Sequence, residues 1–146
     1  MTIEDVGGDK IFKELFALNG KKLEVGFTEE SGQDQINKAG WAQFGTKTKT
    51  GKVHSLPRPF MSIAFEKNLS KLNRFINKQV KIMHNGDVKV TPFLNRIGKK
   101  HKLQIKKQIM LNTPPPNQPA TIRIKGHGQT LIHHKDMLGS VKWKIK

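Results

Sequence analysis

Apolar positions recur at helical spacing in four stretches of this 146-residue chain and at alternate positions in two. Ile11-Phe12 and Leu15-Phe16 step by threes and fours before Asn19-Gly20, predicting a short amphipathic helix over Asp9–Leu18. Leu23, Val25 and Phe27 then alternate with Glu24, Gly26 and Thr28, the pattern of a half-buried strand across Lys21–Thr28. Glu29–Gly32 turns the chain. Ile36, Ala39, Gly40 and Gln43-Phe44 fall near one face of a second helix, Asp34–Phe44, which Gly45 closes. Lys47–Lys52 shows no periodicity and high polarity, so residues 46–55 are expected as a mobile basic loop.

The next block, Leu56-Pro57-Arg58-Pro59-Phe60-Met61, cannot be helix interior, because each proline lacks an N–H and pushes its predecessor toward extended geometry. It reads as a stiff lead into a helix, with Phe60 aimed at the core. From Ser62, the residues Phe65, Leu69, Leu72, Ile76, Val80 and Met83 form the longest helical stripe in the chain, ended by Asn85-Gly86. Asp87–Val90 is expected as a short extended connection. Thr91-Pro92 places a capping residue before a proline at the first helical position. Leu94, Ile97, His101, Ile105 and Ile109 continue at helical spacing, with His101 expected as a hydrogen-bonded core or edge histidine. Gly98, costly in a helix, is expected to permit a close helix crossing. Thr113–Pro119 ends helical structure and predicts an extended, polyproline-like arm across the surface. Ala120–Lys125 is a turn or short helix, Leu131-Ile132 returns to the core, and His133–Gly139 makes a helical turn. Val141–Lys146 alternates strictly and predicts a strand with a lysine-lined outer face. The fold class expected is α+β in one domain spanning residues 1–146: a small antiparallel sheet packed against two long helices.

Charge changes this picture more than any other property. The net charge is +16, and it is uneven: residues 1–73 carry 11 Lys+Arg against 9 acids, residues 74–146 carry 16 against 2. Lysine outnumbers arginine 23 to 4, and a hydrated point charge suits general attraction to a polyanion better than base reading. An acidic neighbouring subunit is the other natural counterpart of such a face. The chain has no cysteine, which removes disulfides and thiolate metal sites and fits folding in a reducing cytoplasm. No apolar run approaches the ~20 residues that span a membrane, and the acidic start Met1–Asp5 is unlike a signal peptide.

Reaction chemistry finds little support. A metal-nuclease reading would recruit His127, His133, His134 and Asp136, yet Asp87 and Asp136 are the only acids of the C-terminal half. Adjacent His133 and His134 would also point in different directions. Gly126-His127-Gly128 lacks the sequel of a phosphate cradle, and none of Ser31, Ser55, Ser62, Ser70 or Ser140 sits in a nucleophile elbow. No tyrosine is present to build a base-stacking platform, and Trp41 and Trp143 are expected on core faces, with an interface anchor as the alternative for Trp41. The expectation is no enzyme activity and no cofactor.

Several blocks, taken in order, resemble the virion-morphogenesis, tail-completion and minor-tail families of tailed bacteriophages. They are Leu23–Phe27, Ala42-Gln43-Phe44-Gly45-Thr46, Leu56–Met61, Leu94-Asn95-Arg96-Ile97-Gly98, Pro116–Ile122 leading to Lys125-Gly126, and Leu131-Ile132 with Met137–Val141. One departure is plain: His133-His134-Lys135 stands where family members carry an Asp-Thr-Gly-like turn, which marks a divergent branch. The resemblance implies a non-enzymatic virion protein of the neck, made in the host cytoplasm. It implies a closed ring of six or twelve copies between the portal or adaptor side and the tail-tube side, with packaged DNA passing through the lumen. Such a ring repeats one heterologous interface until the rotation closes. Contacts with DNA or neighbouring subunits are expected at Lys47, Lys49, Lys52, Arg58, Lys99, Lys100, Lys142 and Lys144. The competing expectation is a small basic protein that binds DNA without sequence preference.

Overall fold

A computed structural model describes residues 8–85, 89–131 and 136–146, with side chains described from residue 13 onward. The helices are α1 (Gly8–Leu18), α2 (Gln33–Phe44), α3 (Phe60–His84), α4 (Val90–Met110), α5 (Pro119–Lys125) and α6 (Asp136–Ser140). The strands are β1 (Leu23–Gly26), β2 (Thr46–Lys47), β3 (Val53–Ser55) and β4 (Lys142–Ile145). The architecture is α+β. The 25-residue α3 and 21-residue α4 pack along each other, and the antiparallel β1–β4 ribbon lies across them. Among the described residues, no helix is long and apolar enough to cross a membrane.

Two apolar clusters hold these pieces together. The first gathers Phe60 and Ala64 of α3, Ile105 and Ile109 of α4, and Ala39, Leu131 and Val141, with Val25 and Phe27 against it. Phe60 is wholly buried and meets Phe27 edge-on at 6.1 Å, an arrangement that suits the ring quadrupoles. The second gathers Leu72, Met83, Val90, Phe93, Leu94 and Ile97, covered by Leu18, Leu23 and Ile145. The ribbon's register, Leu23↔Ile145, Glu24↔Lys144, Val25↔Trp143 and Gly26↔Lys142, turns Leu23 and Ile145 inward together and leaves Glu24 opposite a lysine.

The strand reaches fewer residues than Lys21–Thr28, because pairing stops at Gly26 (φ 141°). α4 begins at Val90, so Thr91 is inside the helix and does not cap it. Pro92 is nonetheless tolerated, since the first-turn N–H groups lack intrahelical partners. The cap comes from another element: Glu14 Oε2 of α1 accepts the Val90 N–H at 3.0 Å. Of the expected connection at 87–90, residues 87 and 88 lie outside the described residues, Lys89 is extended and Val90 is already helical.

Four further expectations are corrected. Residues 46–55 form a hairpin: Thr46 faces Ser55 and Lys47 faces Val53, while the Thr48 N–H donates to Lys52 O at 2.8 Å. The buried line of α3 is Phe60, Ala64, Leu72, Gln79 and Met83; Phe65, Leu69 and Val80 of the expected stripe stay substantially exposed. Gly98 sits beneath the indole of Trp143, so the close approach it permits is strand on helix. Trp41, expected in the core, is 54% exposed on α2. The proline-rich segment runs without helix up to Pro119, where α5 begins, and it is pinned to the surface it crosses. Thr113 is fully buried, its N–H donating to Thr130 Oγ1 (3.1 Å) and its hydroxyl accepting from Gln108 Nε2 (3.2 Å).

Candidate interaction surfaces

Three of the sequence blocks meet at one junction. α3 starts at a proline-flanked residue with no side-chain cap of its own, and Gln43 of α2 supplies it: Gln43 Oε1 accepts the Met61 N–H at 3.1 Å. Gln43 Nε2 donates to Ser62 Oγ at 2.8 Å, and the Arg58 N–H donates to Ala42 O at 2.7 Å. Gly45, at φ 72°, lies so close to the chain at Ser55 and Pro57 that a Cβ would stand 2.6 Å from Ser55 O and 2.9 Å from Pro57 N. Only glycine fits that combination of angle and contact. The two blocks flanking the hairpin are therefore locked to each other.

Arg58 extends this junction to the proline-rich segment. Its Nε donates to Pro115 O at 2.8 Å, and Nη2 donates to Pro116 O and Asn117 Oδ1, both at 3.3 Å. Asn117 Nδ2 passes the connection on to Gln129 O at 3.0 Å. Burial pushes the guanidinium's pKa down. Much of this side chain is committed to holding backbone.

The remaining expected contact residues fall in two places. Lys47, Lys49 and Lys52 are exposed on the β2–β3 hairpin. Lys99 and Lys100 are exposed on α4, with Lys100 Nζ 5.6 Å from the Phe75 ring, while Lys142 and Lys144 lie on β4. Lys144 Nζ approaches Glu29 Oε2 at 3.9 Å. Sequence reading missed the residues that densify this second group, Lys102 and Lys106. Burial and the charges of Lys106 and Lys142 push the Lys102 pKa down, and Lys102 Nζ stands 4.9 Å over the Trp143 ring. α4 carries six Lys+Arg and no acid, a signal present in the sequence but hidden by its helical wrap. His101 is an edge residue, its Nδ1 3.1 Å from Gln104 Oε1 and its ring edge-on to Phe65.

Acid meets base on the ribbon's outer face, as it does between Asp34 and Lys38 on α2. Glu24 accepts from Lys146 at 2.8 Å and Lys22 at 3.2 Å, which holds its carboxyl below the usual value. Among the described residues, no group of three or more His, Asp or Glu is placed to hold a metal ion; His133 and His134 lie outside them. No family model, curated protein or solved structure matches this chain.

Exposed apolar side chains are numerous. Phe44 at the end of α2 is 79% exposed, Ile124 of α5 82% and Phe16 of α1 75%. Trp41 and Phe44 lie one turn apart on α2, and Phe44 borders a groove of about 340 Å³ lined by Phe27, Ile36, Ala39 and Met61. Phe65 and Leu69 stand one turn apart on α3, and Leu103 and Met110 two turns apart on α4. Single exposed apolar residues are ordinary, whereas contiguous exposed apolar patches mark protein or membrane interaction sites or ligand grooves.

Proposed function

We propose that this chain is a structural virion protein of a tailed bacteriophage, assembling as a ring that joins the head to the tail. The observation that carries the reading is the Trp41–Phe44 ridge beside its open apolar groove, on a protein that also exposes apolar pairs on α3 and α4. A heterologous ring needs two different faces that fit each other, and several separated apolar faces suit that requirement better than one self-complementary patch. The order of the sequence blocks supports the same reading. The lysines of α4 and β4 then face either DNA in the lumen or an acidic ring above or below.

The test is presence and consequence. The chain is expected in purified particles at a fixed ratio to the portal, and its deletion leaves unjoined heads and tails. Phe44→Asp is expected to keep the fold, by circular dichroism, and to lose joining. Particles that lack the chain and still assemble without it would overturn the proposal.

A second reading is non-specific DNA binding by the acid-free α4 face with Lys102, Lys106 and Lys142. It requires duplex affinity that falls steeply with salt, and no detectable binding at about 50 mM salt, where phosphate contacts are strongest, removes it.

A further inference from the structure

The groove between α2 and the start of α3 matches the outer side of α4 in spacing and in charge. Phe27, Ile36, Phe44, Met61 and Ser62 help to line it, and none of the described lining residues is a lysine or arginine, on a chain that carries 27 of them. Apolar surface continues from the groove along α3, because Phe65 and Leu69 follow one and two turns beyond Ser62 and are both exposed. From Ser62 to Leu69 the helix rises about 10 Å. Two carboxylates accompany this track: Glu66, one turn beyond Ser62, and Glu30, three residues beyond Phe27. Both are exposed, and neither belongs to an ion pair among the described residues.

On α4, Leu103 and Met110 are exposed and also rise about 10 Å apart. Lys99 and Lys100 stand one turn before Leu103, Lys106 and Lys107 lie between the two apolar residues, and the helix has no acid. Leu103 and Met110 fall on the side of α4 away from the buried Gly98 and Ile105, so the groove they can enter belongs to another copy. We propose that α4 of one copy docks in the α2–α3 groove of the next, and that this head-to-tail contact is the repeated interface of the ring. It rests on the ring reading above. A helix that presents apolar anchors at i and i+7 to an apolar groove is a recurrent recognition mode. Charge sets its direction. With Leu103 in the groove and Met110 over Leu69, Lys106 and Lys107 come to Glu66, and Lys99 and Lys100 come to Glu30. Reversed, Glu30 meets no cation of α4. The two faces differ, so the contact propagates from copy to copy instead of closing as a twofold dimer. Lys102 and Lys142, on the Trp143 side, stay outside it.

The chain has no cysteine, so introduced thiols report the contact directly. Under mild oxidation of the concentrated full chain, Ser62→Cys mixed with Leu103→Cys is expected to form the mixed disulfide at least about tenfold faster than either homodimer, because docking raises the local concentration of that pair. Lys49→Cys mixed with Leu103→Cys is expected to show no such preference. Leu103→Asp, at an exposed position, is expected to keep its circular dichroism and to weaken self-association in sedimentation by at least about tenfold. Glu66→Lys and Lys107→Glu should each weaken it about threefold or more, and mixing the two variants should restore it. Homodimers as fast as the mixed pair, a Leu103→Asp chain that associates like the parent, or no recovery on mixing would overturn the contact. Should Leu103→Asp not fold, the cysteine pairs decide. Particle composition separates this contact from the reading it rests on. A chain present in joined particles but lacking the mixed disulfide sinks the interface alone, and a mixed disulfide in a chain absent from particles sinks the virion role alone.

Discussion

Replacing Gly98 by alanine puts one methyl group into a contact that has no room for it. A Cβ there would stand 2.6 Å from Trp143 Cδ1, 2.7 Å from Cγ and 3.1 Å from Cβ. Carbon atoms pack at about 3.5–4.0 Å, so the indole must retreat by roughly 1 Å. It is poorly placed to do so. Its Nε1–H donates to Asn95 Oδ1 at 2.9 Å, Lys102 stands over its face, and its backbone is registered against Val25. Overpacking of this kind costs about 1–3 kcal/mol, and loosening the indole hydrogen bond adds about 0.5–1 kcal/mol. Alanine recovers about 1 kcal/mol of helix propensity. The net expectation is a loss of about 0.5–3 kcal/mol, read as a urea midpoint shift or a fall in Tm of about 1.5–9 °C at this chain length. The decisive measurement is the double-mutant cycle with Trp143→Leu. In that background Gly98→Ala should cost almost nothing, giving a coupling equal to the loss in the parent, about 0.5–3 kcal/mol. A Gly98→Ala variant as stable as the parent, with Trp143 in place, refutes the reasoning, because it means that the indole is free to move.

Two further perturbations test the junction and the ribbon. Arg58→Lys keeps the charge but loses the fork that holds Pro115, Pro116 and Asn117 together, and should lower stability by about 1–3 kcal/mol in chemical unfolding; an unchanged midpoint would mean that the segment holds itself. The Glu24–Lys146 pair should act only in a defined pH window. Glu24 is lowered from its ordinary 4.5 by Lys146 and then Lys22, so its contribution is present above 4.5 and is lost as pH falls through the lowered value. Lys146 is raised from 10.5 by Glu24, so its contribution is complete below 10.5 and disappears as pH rises through the raised value. Glu24→Gln should therefore flatten the acid limb of the stability curve, most visibly at low salt; an acid limb identical to that of the parent would contradict the pairing.

Much of the fold was legible because local pattern and tertiary burial agree. The alternation of Val141–Lys146 and of Leu23–Phe27 identified both strands of the ribbon, and Asn19-Gly20 and Gly45 closed helices where the chain turns. Period failed where a helix carries two apolar stripes. On α3 the line through Phe65, Leu69 and Val80 is the more hydrophobic to read. The buried line instead runs through Ala64 and Gln79, which fit because one is small and the other accepts from Arg96 Nη1 at 3.1 Å. Gly98 could be read as a close approach, but nothing local says that the partner arrives from residue 143. Threonines and lysines at 46–52 looked structureless because the hairpin is held by backbone bonds and by Thr46 against Ser55, 9 residues apart. Arg58 looked like a contact residue since its charge is visible in the sequence, while the carbonyls that engage it are not.

Six residues of the sequence blocks singled out above lock one element onto another or fill the core. Gln43 caps a helix that has no cap of its own, Gly45 admits the following backbone, and Arg58 ties down the proline-rich segment. Asn95 and Gly98 seat the indole, and Phe60 fills the core. These are the positions at which a fold constrains sequence, and a fold does not by itself fix a function. Function has to be carried by what the locks leave outside: the Trp41–Phe44 ridge and the acid-free face of α4. A strongly basic protein that repels its own copies can still assemble through apolar faces when an anion or an acidic neighbour screens the repulsion. On the proposed ring reading, assembly and polyanion binding would be linked, and self-association that strengthens when short duplex DNA is added would favour a lumen-facing α4 over an outward one.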